Sequence, residues 1–201
     1  DFILNSDIVQ GNNLVLCAPD KGAVPFVKEV ARELKQPQIP LLLLDKKRSG
    51  EQEVSVRIAE NSPVNGDDIR NKDIIIVDDM VRTGNTIVES CQLIRKFQPQ
   101  KVVLFVTHFY SSPEARIKLD DCSIDEIVTT NSISNILNRD KQGKKKKKIV
   151  VLKIGRWITR YLYSIIEDKE LIKVNGPLYS EDMSSKNPRW KGKLGPLFST
   201  L

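Results

Sequence analysis

Two adjacent carboxylates, followed by a small turn and a helix, form the stretch of this sequence best suited to chemistry. Asp78 and Asp79 directly follow residues 74–77, a short branched apolar run typical of a strand buried on both faces. Residues 83–86 read as a turn, and the apolar spacing of residues 87–97 predicts a helix. Unpaired N–H groups that open a helix bind anions, and the two acids can hold hydroxyl groups or a cation. The order predicts a ligand with a phosphate and a polyol, such as a sugar phosphate, while a purely structural strand, turn and helix stays open as the alternative.

The elements that must position these residues alternate along the chain. Apolar runs predict strands, and amphipathic stretches between most of them predict helices, which favours a mostly parallel α/β sheet covered on both faces. The predicted strands are residues 14–17, 41–44, 54–58, 74–77, 101–107, 124–129 and 149–154. Ligands of such sheets bind at the carboxyl ends of the strands. Several polar side chains fall on or just past these ends: Asp20, Lys46, Arg48, Asp78, Asp79, Thr83, Thr86 and His108.

The positive charge of the chain is local. The formal net charge is +6, and five of the lysines form a single run at residues 144–148, without which the excess falls to one. A nucleic-acid footprint needs basic residues spread over a surface, so we expect no nucleic-acid partner. No apolar run approaches the ~20 residues of a membrane span. Three widely spaced cysteines match no disulfide or metal pattern, which favours buried thiols in a reducing compartment.

The chain divides by composition into a domain and a tail. We predict one domain over residues 1–170, with a mobile loop after residue 44 and a lysine-rich loop at residues 139–148. Residues 171–201 carry frequent Gly and Pro and read as an extended tail. The sequence starts at Asp1 rather than Met, so we interpret it as a processed chain or a piece of a longer polypeptide.

Five motifs in order resemble one family. They are Pro19-Asp20 with Gly22, Lys46 with Arg48, residues 77–86, Thr107-His108, and residues 129–133. Together they resemble the C-terminal half of ribose-phosphate pyrophosphokinase, also called phosphoribosyl pyrophosphate synthetase. The loop at residues 77–86 alone resembles the sugar-phosphate loop of the wider type I phosphoribosyltransferase fold.

The resemblance implies a set of roles. The family transfers the β,γ-diphosphoryl group of ATP to ribose 5-phosphate with Mg²⁺ and so makes phosphoribosyl pyrophosphate. By matching position, Asp78 and Asp79 would hold the ribose hydroxyls, and Asp20 would lie near the metal. Lys46 and Arg48 would be the catalytic basic pair of a mobile loop that closes over the phosphates. The remaining substrate-binding positions of the loop, five consecutive residues, would hold or adjoin the 5-phosphate: Arg82, Thr83, Gly84, Asn85 and Thr86.

Departures from the family pattern leave alternatives open. Arg82 stands where the family usually has Asp, Asn85 stands where it has Gly, and no motif of the ATP-binding half is found. We therefore expect the chain to take part in the reaction without running it alone. One alternative is a catalytically inactive relative that serves as a regulatory or architectural subunit. A second is a phosphoribosyltransferase. By resemblance we expect a homo- or hetero-oligomer, located in the cytoplasm or in an organelle.

Overall fold

A twisted sheet with helices on both faces forms the body of the protein. The computed structural model describes residue 3 and residues 13–34, 38–49, 53–110, 112–121, 124–133, 148–166 and 179–182. The strands are β1 (Leu14–Ala18), β2 (Leu41–Ser49), β3 (Glu53–Ile58), β4 (Asp73–Val81), β5 (Lys101–Phe109), β6 (Glu126–Thr130), β7 (Lys148–Lys153) and β8 (Tyr179–Asp182). The helices are α1 (Val24–Glu33), α2 (Asn85–Arg95), α3 (Pro113–Asp121) and α4 (Gly155–Ile166), with a 3₁₀ turn at Asp67–Ile69.

The strand order is β3-β2-β1-β4-β5-β6-β7-β8. The six inner strands run parallel, and the edge strands β3 and β8 each pair antiparallel with their neighbours. From β1 the chain proceeds to β2, toward one edge of the sheet. From β4 it proceeds to β5, toward the opposite edge. The strand order therefore reverses between β1 and β4, which is where open α/β sheets bind ligands.

Strand β4 is buried on both faces, as its apolar run predicts. Ile74 and Ile76 pack in one core cluster with Cys91 of α2, whereas Ile75 and Val77 pack in a second cluster with Val27 of α1. Successive side chains of a strand point to opposite faces, so this alternation assigns α1 and α2 to opposite sides of the sheet. A continuous apolar run is therefore needed at β4 to fill both layers.

The helical faces also agree with the predicted spacing. Val27 and Leu34 are buried along α1, and Ile87, Cys91 and Ile94 are buried along α2. Pro25 lies in the first turn of α1, where the missing N–H costs no intrahelical bond. Cys17 and Cys91 are free buried thiols, and burial raises the pKa of Cys17. Cys122 lies outside the described residues.

Two predicted boundaries are wrong. Strand β2 does not end at residue 44 in a mobile loop; it runs on to Ser49 and forms an antiparallel hairpin with β3. Lys148, which we assigned to the lysine-rich loop, begins β7, while residues 139–147 lie outside the described part. Within the segment assigned to the tail, Tyr179–Asp182 adds β8 to the sheet.

Helix α4 exposes an unusual amount of apolar surface. Ile158, Tyr161, Leu162 and Ile165 follow helical i, i+3, i+4, i+7 spacing, and all four are between 40% and 59% exposed. Over the described residues, no helix is both long and apolar enough to cross a membrane.

Candidate functional site

A cavity of about 390 Å³ opens where β1 and β4 end. Its wall comes from the turn between β1 and α1 with the start of α1, and from the end of β4, the turn that follows it and the start of α2. The lining residues are Asp20, Gly22, Ala23, Phe26, Asp78, Asp79, Met80, Val81, Arg82, Thr83, Gly84, Thr86 and Ile87. All the predicted substrate-binding residues except Asn85 lie in this lining, as does the predicted metal-binding Asp20, while Lys46 and Arg48 do not.

The two acids belong to a strand rather than to the loop that follows it. Strand β4 continues to Val81 because its pairing with β5 continues, with Met80 opposite His108 and Val81 opposite Phe109. Asp78 is half-buried and Asp79 is exposed. The Asp79 N–H donates to Asp78 Oδ1 at 2.9 Å. The sheet therefore fixes the backbone of both carboxylates at the cavity wall.

The pKa of the Asp78 carboxyl is raised toward neutral pH. The pKa of this carboxyl is raised from 3.8 to about 7, chiefly by burial; the hydrogen bond from the Asp79 N–H lowers it, and the negative charges of Asp20 and Asp79 raise it. Burial disfavours the charged form, and like charges nearby act in the same direction. A cation or a hydroxyl donor in the cavity would reverse this effect, because either stabilises the ionised carboxylate.

The turn after the acids is built on a left-handed glycine. Gly84 has φ +76° and forms the N-cap of α2, so Asn85 and Thr86 belong to the first helical turn and not to the predicted turn. The conformation that glycine permits is needed at Gly84 and not at Asn85, so the change from Gly to Asn at that position costs no backbone strain. The Val88 N–H donates to Gly84 O at 2.9 Å, and among the described residues no side chain caps the start of α2.

Two lysines reach the first turn of α2 from elsewhere in the chain. Lys46 Nζ, on β2, donates to Thr86 Oγ1 at 2.7 Å. Lys118 Nζ, on α3, donates to Asn85 Oδ1 at 2.8 Å. The structure thus brings the predicted Lys46 to the first turn of α2, and it brings Lys118, which the sequence analysis did not single out, to the same turn. No short-range pattern could have found Lys118, because only the packing of α3 beside α2 brings it close.

Arg48 and Asp20 are placed differently from Lys46. The backbone of Arg48 pairs with Val54 in the β2–β3 hairpin, and its side chain lies outside the described part of the structure. Asp20 Oδ1 accepts the N–H groups of Gly22 and Ala23 at 2.9 and 3.2 Å. One oxygen of Asp20 therefore shapes the turn into α1, while the side chain remains part of the cavity wall.

His108 does not line the cavity. Its Nδ1 lies 2.9 Å from Ser132 Oγ, and Ser132 Oγ in turn donates to Thr107 O at 3.0 Å. Thr130 Oγ1 donates to the same carbonyl at 2.8 Å. These contacts tie the ends of β5 and β6 together, which is a structural role.

The carboxylates of the cavity can supply one or two ligands to a magnesium ion whose remaining ligands are water and phosphate oxygens. Over the described residues, no three His, Cys, Asp or Glu side chains gather into a metal-binding cluster. Asp20, Asp78 and Asp79 nevertheless share one cavity, and two of them raise the pKa of the third. Magnesium in phosphate sites is commonly bound by one or two carboxylates, with water and phosphate oxygens completing the shell.

The α/β sheet carries a pair of carboxylates and a helix-opening turn at the point where its strand order reverses. This arrangement matches a known class of protein domain. The sequence model of the phosphoribosyl transferase domain family matches residues 2–142, and the chain belongs to that family. Within it, the similar curated proteins are ribose-phosphate pyrophosphokinases, which confirms the resemblance drawn from the motifs. One from Mycoplasmopsis pulmonis is 27% identical over 186 residues, covering 92% of this chain and 53% of that protein. One from Prochlorococcus marinus is 35% identical over 124 residues, covering 61% of this chain and 35% of that protein.

A solved structure agrees with the predicted fold. The phosphoribosylpyrophosphate synthetase from Mycobacterium smegmatis superposes with a TM-score of 0.61 at 26% identity, covering 78% of this chain and 46% of that chain. The mostly parallel sheet of the type I phosphoribosyltransferase fold is thereby confirmed. The chain spans about half the length of the Mycoplasmopsis pulmonis and Mycobacterium smegmatis proteins.

Proposed function

We propose that this chain binds ribose 5-phosphate or phosphoribosyl pyrophosphate in the cavity between β1 and β4. The observation that carries the proposal is the placement, on one cavity wall, of a pair of carboxylates and the amide-rich start of α2. Asp78 and Asp79 would accept the ribose hydroxyls. Thr83, Gly84 and Thr86 would hold the 5-phosphate, because a helix N-terminus offers both free N–H donors and positive potential.

The reaction we propose is the ribose-phosphate pyrophosphokinase step, in which a diphosphoryl group passes from ATP to the sugar. Such transfers depend on positioning and on neutralising charge rather than on covalent chemistry. Bound magnesium would supply charge neutralisation at the phosphates, with Asp20 and the acid pair as its protein neighbours. Lys46 is hydrogen-bonded to Thr86, which places a cation beside the sugar-phosphate end, where it can stabilise a phosphate. Because the relatives are about twice as long, we propose that ATP contacts come from outside these residues, on the same polypeptide or on another subunit.

Ligand binding tests the proposal directly. Thermal unfolding of the chain is followed with millimolar ribose 5-phosphate and Mg²⁺, with ribose and Mg²⁺ as the comparison without a phosphate. We expect the phosphorylated sugar to raise the unfolding temperature, because a ligand that binds only the native state stabilises it. No shift with ribose 5-phosphate or with phosphoribosyl pyrophosphate would refute the proposal. Release of AMP from ATP and ribose 5-phosphate by the full-length gene product then tests the reaction.

A catalytically inactive regulatory or architectural subunit is the second candidate. Arg82, which reverses the charge found in the resembling family, lines the cavity, and the apolar side chains of α4 offer a surface for another protein. This candidate predicts binding without AMP release, even when a relative that has lost its own sugar-phosphate site supplies the ATP contacts. Recovery of turnover in such a mixture would exclude it.

A phosphoribosyltransferase is the third candidate, and a second cavity favours it. This cavity of about 160 Å³ shares Phe26 and Asp78 with the first, and Phe105, Val128 and Leu152 contribute to its apolar wall. A flat heterocyclic base would suit such a space beside the ribose. Release of pyrophosphate from phosphoribosyl pyrophosphate and a nucleobase would support this candidate over the kinase.

A further inference from the structure

The described lining of the cavity contains more acids than bases. Arg82 is the one basic residue in it, and it stands against three carboxylates, those of Asp20, Asp78 and Asp79. Ionised acids repel a phosphate dianion that enters the same cavity, so binding of a phosphate requires positive charge that offsets this repulsion. Within this lining, Arg82 and the N–H groups that open α2 can supply that charge.

The backbone at Arg82 is held in place between the acid pair and the start of α2. Val81, the preceding residue, is buried and ends β4. The carbonyl of Arg82 accepts the Ser112 N–H at 3.4 Å, and Gly84 fixes the turn that follows through its left-handed backbone. The Arg82 residue itself is exposed. Its side chain therefore starts from a fixed point at the cavity wall, with the acids on one side and the first turn of α2 on the other.

The acids of the cavity do not use the charge of Arg82. Among the described residues, no salt bridge includes Arg82. A guanidinium close to Asp78 would lower the pKa of that carboxyl, but the pKa is raised. The charges that act on it are those of Asp20 and Asp79. The guanidinium therefore lies clear of the acid pair and is available to an anion at the other end of the cavity, where α2 begins.

We propose that Arg82 is a specificity-determining residue that binds the phosphate group of the sugar and makes the cavity select phosphorylated over unphosphorylated sugars. The inference rests on the proposed binding of ribose 5-phosphate and deepens it. A planar guanidinium can donate two parallel N–H bonds to a phosphate, and its charge offsets the repulsion from the three acids. Arg82 thus adds affinity for the phosphate, whether or not the chain takes part in turnover.

Calorimetry in the presence of a metal chelator tests this role, because magnesium then cannot bridge the acids to the phosphate. Affinity for ribose 5-phosphate is measured for the unmodified chain, Arg82→Met and Arg82→Lys. Arg82→Met removes a hydrogen bond between charged groups, so we expect binding to weaken by about ten-fold. Arg82→Lys keeps the charge without the planar pair of donors and should retain part of the affinity. In competition with ribose 5-phosphate, inorganic phosphate should weaken to the same extent in Arg82→Met, and ribose should not.

A matched control separates this role from a general effect of charge. Lys28→Met removes an exposed lysine from α1, outside the cavity lining, and should leave the affinity unchanged. Full affinity for ribose 5-phosphate in Arg82→Met would overturn the inference while sparing the proposed function. An equal loss for ribose and for inorganic phosphate would also overturn it, since the substitution would then have disturbed the whole cavity.

Magnesium separates the failure of this inference from the failure of the proposed function. If the unmodified chain binds ribose 5-phosphate only after Mg²⁺ is added, the inference is wrong, because Arg82 then does not offset the acids, and the proposed function stands. If the unmodified chain binds ribose 5-phosphate neither in chelator nor with Mg²⁺, the proposed function is wrong and the inference falls with it.

Discussion

Asp78 should make sugar binding depend on pH in a way that one substitution removes. With a pKa of about 7, about one tenth of the carboxyl is ionised at pH 6 and about nine tenths at pH 8. A ribose hydroxyl donates to the ionised form, so the affinity for ribose 5-phosphate should rise about ten-fold over this range. Asp78→Asn keeps an oxygen that can accept the Asp79 N–H but cannot ionise. The variant should lose this part of the pH dependence.

Calorimetry at pH 6, 7 and 8, without metal and then with Mg²⁺, measures the effect. The phosphate of the ligand has a second pKa near 6, so its titration contributes equally to the pH dependence of affinity in the unmodified chain and in Asp78→Asn. The difference in slope between the unmodified chain and Asp78→Asn therefore isolates the protein carboxyl. Parallel slopes would refute the assignment of Asp78 to the ribose.

The raised pKa of Asp78 also predicts that the stability of the ligand-free fold falls as pH rises, whereas the affinity for ribose 5-phosphate increases. Because the native pKa lies above the unfolded value of 3.8, this group stabilises the fold fully only below pH ~3.8 and loses that contribution as pH rises through about 7. The unfolding temperature of Asp78→Asn, relative to the unmodified chain, should rise from pH 5 to pH 7.5. A constant difference over that range would contradict the raised pKa.

Three further substitutions test other parts of the structure. Gly84→Ala puts a side chain at φ +76° and should cost about 1–2 kcal/mol, which thermal unfolding would detect as a lowering of roughly 2–8 °C. Asp79→Asn, at an exposed carboxylate, should leave the fold intact and weaken ribose 5-phosphate binding by about ten-fold or more in calorimetry. Ser62→Ala removes a hydroxyl that accepts the Leu43 N–H and donates to Val64 O, and should cost about 1–3 kcal/mol in denaturant unfolding.

A matched control accompanies Asp79→Asn, and contradicting outcomes are defined for Asp79→Asn and Gly84→Ala. Glu33→Gln neutralises an exposed acid on α1 and should match the unmodified chain in binding, which separates Asp79 from a general loss of negative charge. Unchanged unfolding of Gly84→Ala would mean that position 84 does not require a left-handed backbone. Full ribose 5-phosphate affinity in Asp79→Asn would remove this acid from the site.

The sequence was most informative where one local pattern determines the structure. The branched run before Asp78 predicts a strand with two buried faces, and the spacing after Thr86 predicts the buried face of α2. The order of the acids and the turn was likewise enough to predict that Asp78, Asp79 and residues 82–86 other than Asn85 share a cavity. These features depend on residue type and period alone.

Features that depend on distant partners were missed. Strand β4 runs past Asp78 because β5 pairs with it, and β2 runs past residue 44 because β3 folds back on it. The helix start moved from residue 87 to Asn85 because Gly84 takes the left-handed conformation. Lys118 reaches Asn85 only through the packing of α3. Apart from the helix start, which follows from the local backbone of Gly84, each of these depends on tertiary pairing, which a single sequence does not encode locally.

The position of β1 between β2 and β4 affects how the protein can be synthesised. While the ribosome has delivered β1, β2 and β3 but not β4, the side of β1 that pairs with β4 in the folded protein has unpaired peptide groups. Such an unprotected side readily recruits strands from other molecules. We therefore expect the nascent chain to be prone to aggregation until β4 emerges, and the cavity lining is complete only after the start of α2 has followed.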